Sequence, residues 1–176
     1  MRIWPHAPLH FFNEIGTYIV TASTMHKTLF FKKNEELDLL HDMLLDLAEH
    51  YQWRLEAWAV FPNHYHFVAR SPSDPTILRK FITHLHASTA RKLNLLHQTV
   101  GRKVWYQYRD TQITFQKSYL ARLNYVMQNP VKHKIVALAE QYKWCSANWF
   151  KNNTSRAFRD SVIHLNTDDV NVIDDF

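Results

Sequence analysis

The chain has 176 residues, 46% hydrophobic and 14% aromatic, with a formal net charge of +5 and one cysteine. That is ample for one folded, water-soluble domain with its own core, while Cys145 alone excludes an internal disulfide and a multi-cysteine metal site. Two glycines, Gly16 and Gly101, cannot build a glycine-rich phosphate loop, so no nucleotide cofactor and no ATP-driven chemistry are expected.

Met1 to Leu9 holds no apolar core of signal-peptide length, and no run approaches the roughly 18 apolar residues of a membrane span. A cytoplasmic protein with no membrane partner is expected. The charge is unevenly spread: residues 167–176 hold Asp168, Asp169, Asp174 and Asp175 and no Lys or Arg, so without them the net charge goes from +5 to +9. The body is therefore basic, and the pairs Lys32-Lys33, Arg79-Lys80, Arg91-Lys92 and Arg102-Lys103 suit either a phosphate backbone or a solvated surface.

In chain order, Thr17 to Thr24 is β-branched and aromatic enough for a strand, with Lys27 to Lys33 as a possible continuation after a turn. From Asn34 as N-cap to Tyr51, Leu37, Leu40, Leu44, Leu47 and Ala48 fall at helical spacing. Trp53 to Phe61 alternates with period two and reads as a strand inside a sheet. Pro62-Asn63 makes a tight connection, and His64 to Arg70 is the antiparallel return strand. Asp74-Pro75 caps a second amphipathic helix running to about Leu96. Lys103 to Tyr108 fits a further strand, and Ser118 caps a third helix that stops near Pro130. The order β, α, β, β, α, β, α predicts an α+β fold: an antiparallel sheet covered by helices in the ferredoxin-like split β-α-β arrangement.

Strand alternation puts His64 and His66 on one side and Tyr65 and Phe67 on the other, toward a helix-covered core. Both imidazoles can then reach one ion, leaving room for water and a phosphate oxygen; the alternative is a pair of structural histidines. On the third helix Leu120, Leu123 and Met127 lie roughly 140° to 160° from Tyr125, which places Tyr125 opposite the apolar stripe. Asn129 and Arg122 lie within roughly 60° of it. A tyrosine hydroxyl with pKa about 10 is about one part in a thousand phenolate at neutral pH, a deficit of roughly 4 kcal/mol that cationic charge and a metal can offset. A covalent phosphotyrosine is then chemically reasonable, with the Asn129 carbonyl oxygen as a third ligand. Lys117, Arg122, Lys132 and Lys134 are the basic residues nearest Tyr125 in sequence. Trp105, Tyr106 and Tyr108 alternate with Lys103 and Arg109 and either stack on unpaired bases or fill the core.

In these residues the chain resembles the single-tyrosine HUH transposases, specifically the REP-associated tyrosine transposase branch of the insertion-sequence transposases. The matching stretches are Tyr18 to Ser23, Val60 to Val68, Tyr125 to Lys132 and Tyr142 to Ser146, within residues 15–150. The resemblance implies the HUH endonuclease fold, with residues 1–150 as catalytic domain and 151–176 as a C-terminal extension ending in the acidic tail. It implies His64 and His66 as ligands of a divalent ion, Mg²⁺ or Mn²⁺, Asn129 as completing that shell, and Tyr125 as the nucleophile. It implies cleavage and rejoining of single-stranded DNA beside a hairpin through a 5′-phosphotyrosine link, by a monomer or homodimer. Many relatives carry glycine where this chain has His133-Lys134, and 107–114 lacks a histidine often found there. The alternatives from other classes are a non-catalytic hairpin-DNA-binding protein on the same fold and a metal-dependent nuclease that uses water. The acidic tail is a candidate competitor with DNA for the basic surface.

Overall fold

The computed structural model describes residues 14–165 together with Thr167 and Val170. Apart from those two residues, the acidic tail lies outside the described residues, as does Met1 to Leu9.

Period-two segments give four strands, β1 (Thr17–Thr24), β2 (Arg54–Val60), β3 (His64–Arg70) and β4 (Trp105–Ile113). They form one antiparallel sheet in the order β2-β3-β1-β4. The two halves of a split β-α-β unit, β1 and β2, flank β3, as the expected ferredoxin-like arrangement requires. Helices α1 (Asn34–His50) and α2 (Leu78–Leu96) cover the face that carries Tyr65 and Phe67. There the Phe67 ring meets Phe81 at 5.8 Å, and the Tyr65 hydroxyl meets His86 Nε2 at 2.9 Å. Helix α3 (Gln116–Lys132) covers the opposite face, and α4 (Ala147–Asn153) and α5 (Arg156–Ile163) follow.

Several local expectations need correction. Lys27 to Lys33 is not a strand: Met25–Lys27 forms a 3-10 turn with His26 and Lys27 both at left-handed φ, and the chain then runs irregularly into α1. Asn34 is the first residue of α1 rather than its cap; Glu36 Oε2 accepts the backbone N–H groups of Lys32 and Lys33 instead. Helix α3 starts before Ser118 and continues through Pro130, because a proline in the last turn forgoes only one backbone bond. It closes in a Schellman motif, with Ile135 N–H donating to Pro130 O and Lys134 N–H to Val131 O, while Lys134 takes φ 58°. Strand β4 reaches Ile113, five residues past the expected end.

Strand β2 ends the sheet, yet its outer edge is occupied. The segment 142–146 lies along it: Val60 N–H donates to Trp144 O, Ser146 N–H to Trp58 O, and Trp58 N–H to Ser146 Oγ. Helix α4 runs across residue 150. Beyond it α5 backs α3, where Asn124 Nδ2 donates to Leu165 O at 2.9 Å and Val162 is fully buried. Trp105 and Trp144 are buried; Trp149 is 42% exposed but rests on Trp58. Trp105 packs as core, its ring 4.4 Å from His86 and 5.5 Å from Phe31, whereas Tyr106 is exposed.

Candidate active site

Residues facing one another across the ladders share a face of the sheet. Thr21 and Ala59 pair with His66, and Ser23 pairs with His64, so these side chains sit on the α3 face. Helix α3 delivers Tyr125 onto that surface. Its ring meets His66 edge-on, with centroids 5.5 Å apart and planes at 72°. The His64 and His66 rings are 5.0 Å apart.

Burial corrects the sequence expectation that Tyr125 lies away from the packed side of its helix. Tyr125 is 2% exposed, and Asn129, one turn on, is fully buried. The pattern of Leu120, Leu123 and Met127 marks one buried side of α3, but the helix is packed on two. One side meets the sheet, and the other meets α5 and the segment 139–146, where Cys145 Sγ donates to Met127 O.

Each histidine is held through Nδ1. The His64 Nδ1–H donates to Asn63 Oδ1 at 2.7 Å, and His66 Nδ1 shares a 2.7 Å hydrogen bond with the Thr21 hydroxyl. Both Nε2 atoms, the Tyr125 hydroxyl and Asn129 Oδ1 are buried polar atoms on the same side of the sheet. Imidazole nitrogens oriented by an outer hydrogen bond, together with an amide oxygen, form a donor set that fits a divalent ion and leaves positions for water and phosphate. Among the described residues no three His, Cys, Asp or Glu side chains form a metal cage.

A stack of rings supports His64 from behind. Phe61 lies on His64 at 4.4 Å and 16°, and Tyr142 lies on Phe61 at 5.6 Å and 15°. The Tyr142 hydroxyl donates to Val60 O, which ties the stack to β2. Burial pushes the Tyr142 hydroxyl above the range in which it ionises, and it pushes the Cys145 thiol up to about 12. Both are structural groups rather than reactive ones.

The four basic candidates separate. Lys132 Nζ stands 5.1 Å from the centre of the Tyr125 ring. Arg122 is half-buried, bonded to Ser118 Oγ and Ser118 O, and its Nε is buried; desolvation pulls its pKa down. Lys117 and Lys134 are exposed at the two ends of α3. Sequence reasoning passed over His133, Asn63, Thr21 and Phe61 as site residues. The His133 ring lies 5.3 Å from His64 and 5.5 Å from Phe61. Its signal was its place two turns after Tyr125, about 80° round the helix; Thr21 had no distinct signal, since β1 also carries Thr17, Ser23 and Thr24.

A family model described as transposase, IS200-like, matches residues 14–124, a span that contains both histidines and ends one residue before Tyr125. No curated protein matches the chain. The fold is similar to that of a REP-associated tyrosine transposase solved bound to a REP hairpin, with TM-score 0.67, 15% identity, and coverage of 85% of this chain and 87% of that one. A crystal structure from Deinococcus radiodurans R1, described only provisionally as a transposase, aligns at TM-score 0.47 and 15% identity over 74% of this chain and 95% of that one.

Proposed function

Because the chain belongs to the IS200-like transposase family, we propose that it cleaves and rejoins single-stranded DNA beside a hairpin, with Tyr125 as nucleophile. The observation that carries this reading is the edge-on approach of Tyr125 to His66 inside a buried polar site, 5.5 Å between ring centres. The Tyr125 oxygen attacks a backbone phosphorus and the bond from phosphorus to the 3′ oxygen breaks. The phenol proton is lost as the 3′ oxygen gains one, leaving a 5′-phosphotyrosine and a free 3′-OH. The link conserves the phosphodiester, so rejoining needs no nucleotide cofactor.

When bound, a Mg²⁺ or Mn²⁺ ion held by His64, His66 and Asn129 would supply polarisation of the scissile phosphate. Asn63 and Thr21 orient the two imidazoles, and Lys132 sets positive charge over the Tyr125 ring. Arg122 has no carboxylate partner among the described residues, which leaves a half-buried cation one turn from Tyr125 for a DNA phosphate. Lys117 and Lys134 extend the same positive surface to the ends of α3. The solved hairpin complex of similar fold supports hairpin DNA as the partner. Among the described residues no helix is long and apolar enough to cross a membrane.

The test is incubation with hairpin-bearing single-stranded DNA and Mn²⁺, followed by denaturing electrophoresis. Wild type should give a protein–DNA adduct, and Tyr125→Phe and His64→Ala should not. Cleavage that persists in Tyr125→Phe without adduct would instead identify a nuclease using water. Hairpin binding without cleavage in wild type would identify a binding protein.

A further inference from the structure

We infer that Asn63 is a positioning residue for the cation site, fixing His64 in the tautomer that presents its Nε2 lone pair to an ion; this rests on the metal-dependent reading above. Asn63 is 7% exposed, and its amide orientation is set by contacts on both sides. Its Nδ2 donates to Lys27 O at 3.2 Å, which turns Oδ1 toward His64 Nδ1 at 2.7 Å. An amide oxygen can only accept, so the neutral His64 ring carries its proton on Nδ1 and its lone pair on Nε2. The opposite amide orientation would aim an NH₂ group at Nδ1 and give the other tautomer.

The backbone holds Asn63 from the same turn. Thr24 N–H donates to Asn63 O at 2.8 Å, and Phe31 N–H donates to Pro62 O at 2.9 Å. The Lys27 carbonyl that orients the amide belongs to a turn in which His26 and Lys27 have φ 55° and 54°. Two successive non-glycine residues in the left-handed region carry a backbone cost. That conformation is retained where the turn delivers a carbonyl to Asn63. The path from Lys27 O through the Asn63 amide to His64 therefore links a strained surface turn to the cation site.

Nitrogen-15 NMR of metal-free, DNA-free protein at about pH 8, above the ordinary imidazole pKa of about 6.5, tests this directly. Wild type should show His64 protonated on Nδ1. Asn63→Leu, which keeps volume but has no acceptor, should shift His64 toward the Nε2-protonated form, and Asn63→Asp, which keeps the acceptor oxygen, should restore the wild-type pattern. In parallel, Mn²⁺ titration followed by electron paramagnetic resonance should show weakening by roughly 10- to 100-fold in Asn63→Leu and within a few-fold of wild type in Asn63→Asp. An unchanged His64 tautomer in folded Asn63→Leu, or equal Mn²⁺ affinity in wild type and Asn63→Leu, overturns the inference. Failure of wild type itself to bind Mn²⁺ overturns the metal-dependent reading, and the NMR comparison still decides whether Asn63 sets the tautomer.

Discussion

Acidification should expose how the α2 face of the sheet is held, through His86. Its ring lies flat on Trp105, 4.4 Å away at 7°, and its Nε2 meets the Tyr65 hydroxyl at 2.9 Å. Burial pushes its pKa down to about 3, against about 6.5 in an unfolded chain. Between those values the unfolded state binds a proton that the folded state does not, so this contribution is complete above about 6.5 and is lost as pH falls. At about 1.4 kcal/mol per pH unit, lowering the pH from about 7 to about 5 costs about 2 kcal/mol. The assay is urea unfolding at both pH values for wild type and His86→Gln, since glutamine cannot titrate. The variant should be less stable at about pH 7, having lost the ring stack, yet should lose about 2 kcal/mol less on acidification. The other histidines are common to both proteins. Equal losses would refute the assignment of a half-buried, neutral His86.

Lys134→Gly should raise stability by roughly 0.5–1 kcal/mol in urea unfolding, because glycine removes the left-handed backbone cost at the end of α3; a loss would contradict the Schellman ending. Cys145, with its thiol pushed up to about 12 by burial and its Sγ donating to Met127 O, should resist an aromatic disulfide reagent at neutral pH until the protein unfolds. Rapid native-state modification would overturn that. Phe61→Leu removes the ring between His64 and Tyr142 and should cost roughly 1–2 kcal/mol of stability while weakening Mn²⁺ binding, although Phe61 is not a ligand. Unchanged Mn²⁺ affinity would show that the stack does not hold His64.

The sheet was legible because period two is a local property: the alternation of His64 and His66 with Tyr65 and Phe67 assigned both faces of β3 correctly. Helix α3 was less legible. Its strongest apolar stripe marks only one of two buried sides, and the other is built from β2, β3 and polar residues that a hydrophobic pattern does not register. The second layer behind it arises from Asn124 bonding to Leu165, 41 residues away in sequence. Phe61 and Thr21 join the site through contacts across the sheet that local spacing does not report, whereas His133 comes from the end of α3, where its helical spacing from Tyr125 was the signal. Asn63 was legible as a turn residue only; its hold on His64 depends on the Lys27 carbonyl, supplied by a loop whose left-handed residues no glycine announces.

The role of Tyr125 as nucleophile is tested most directly by mass-spectrometric mapping of the covalent protein–DNA species formed on a hairpin-bearing single strand. The expected species is a nucleotide joined through its 5′-phosphate to the oxygen of Tyr125, in the peptide that also contains Asn129. Attachment to another residue, such as Tyr119 or Tyr142, or cleavage with no attached nucleotide, would contradict it.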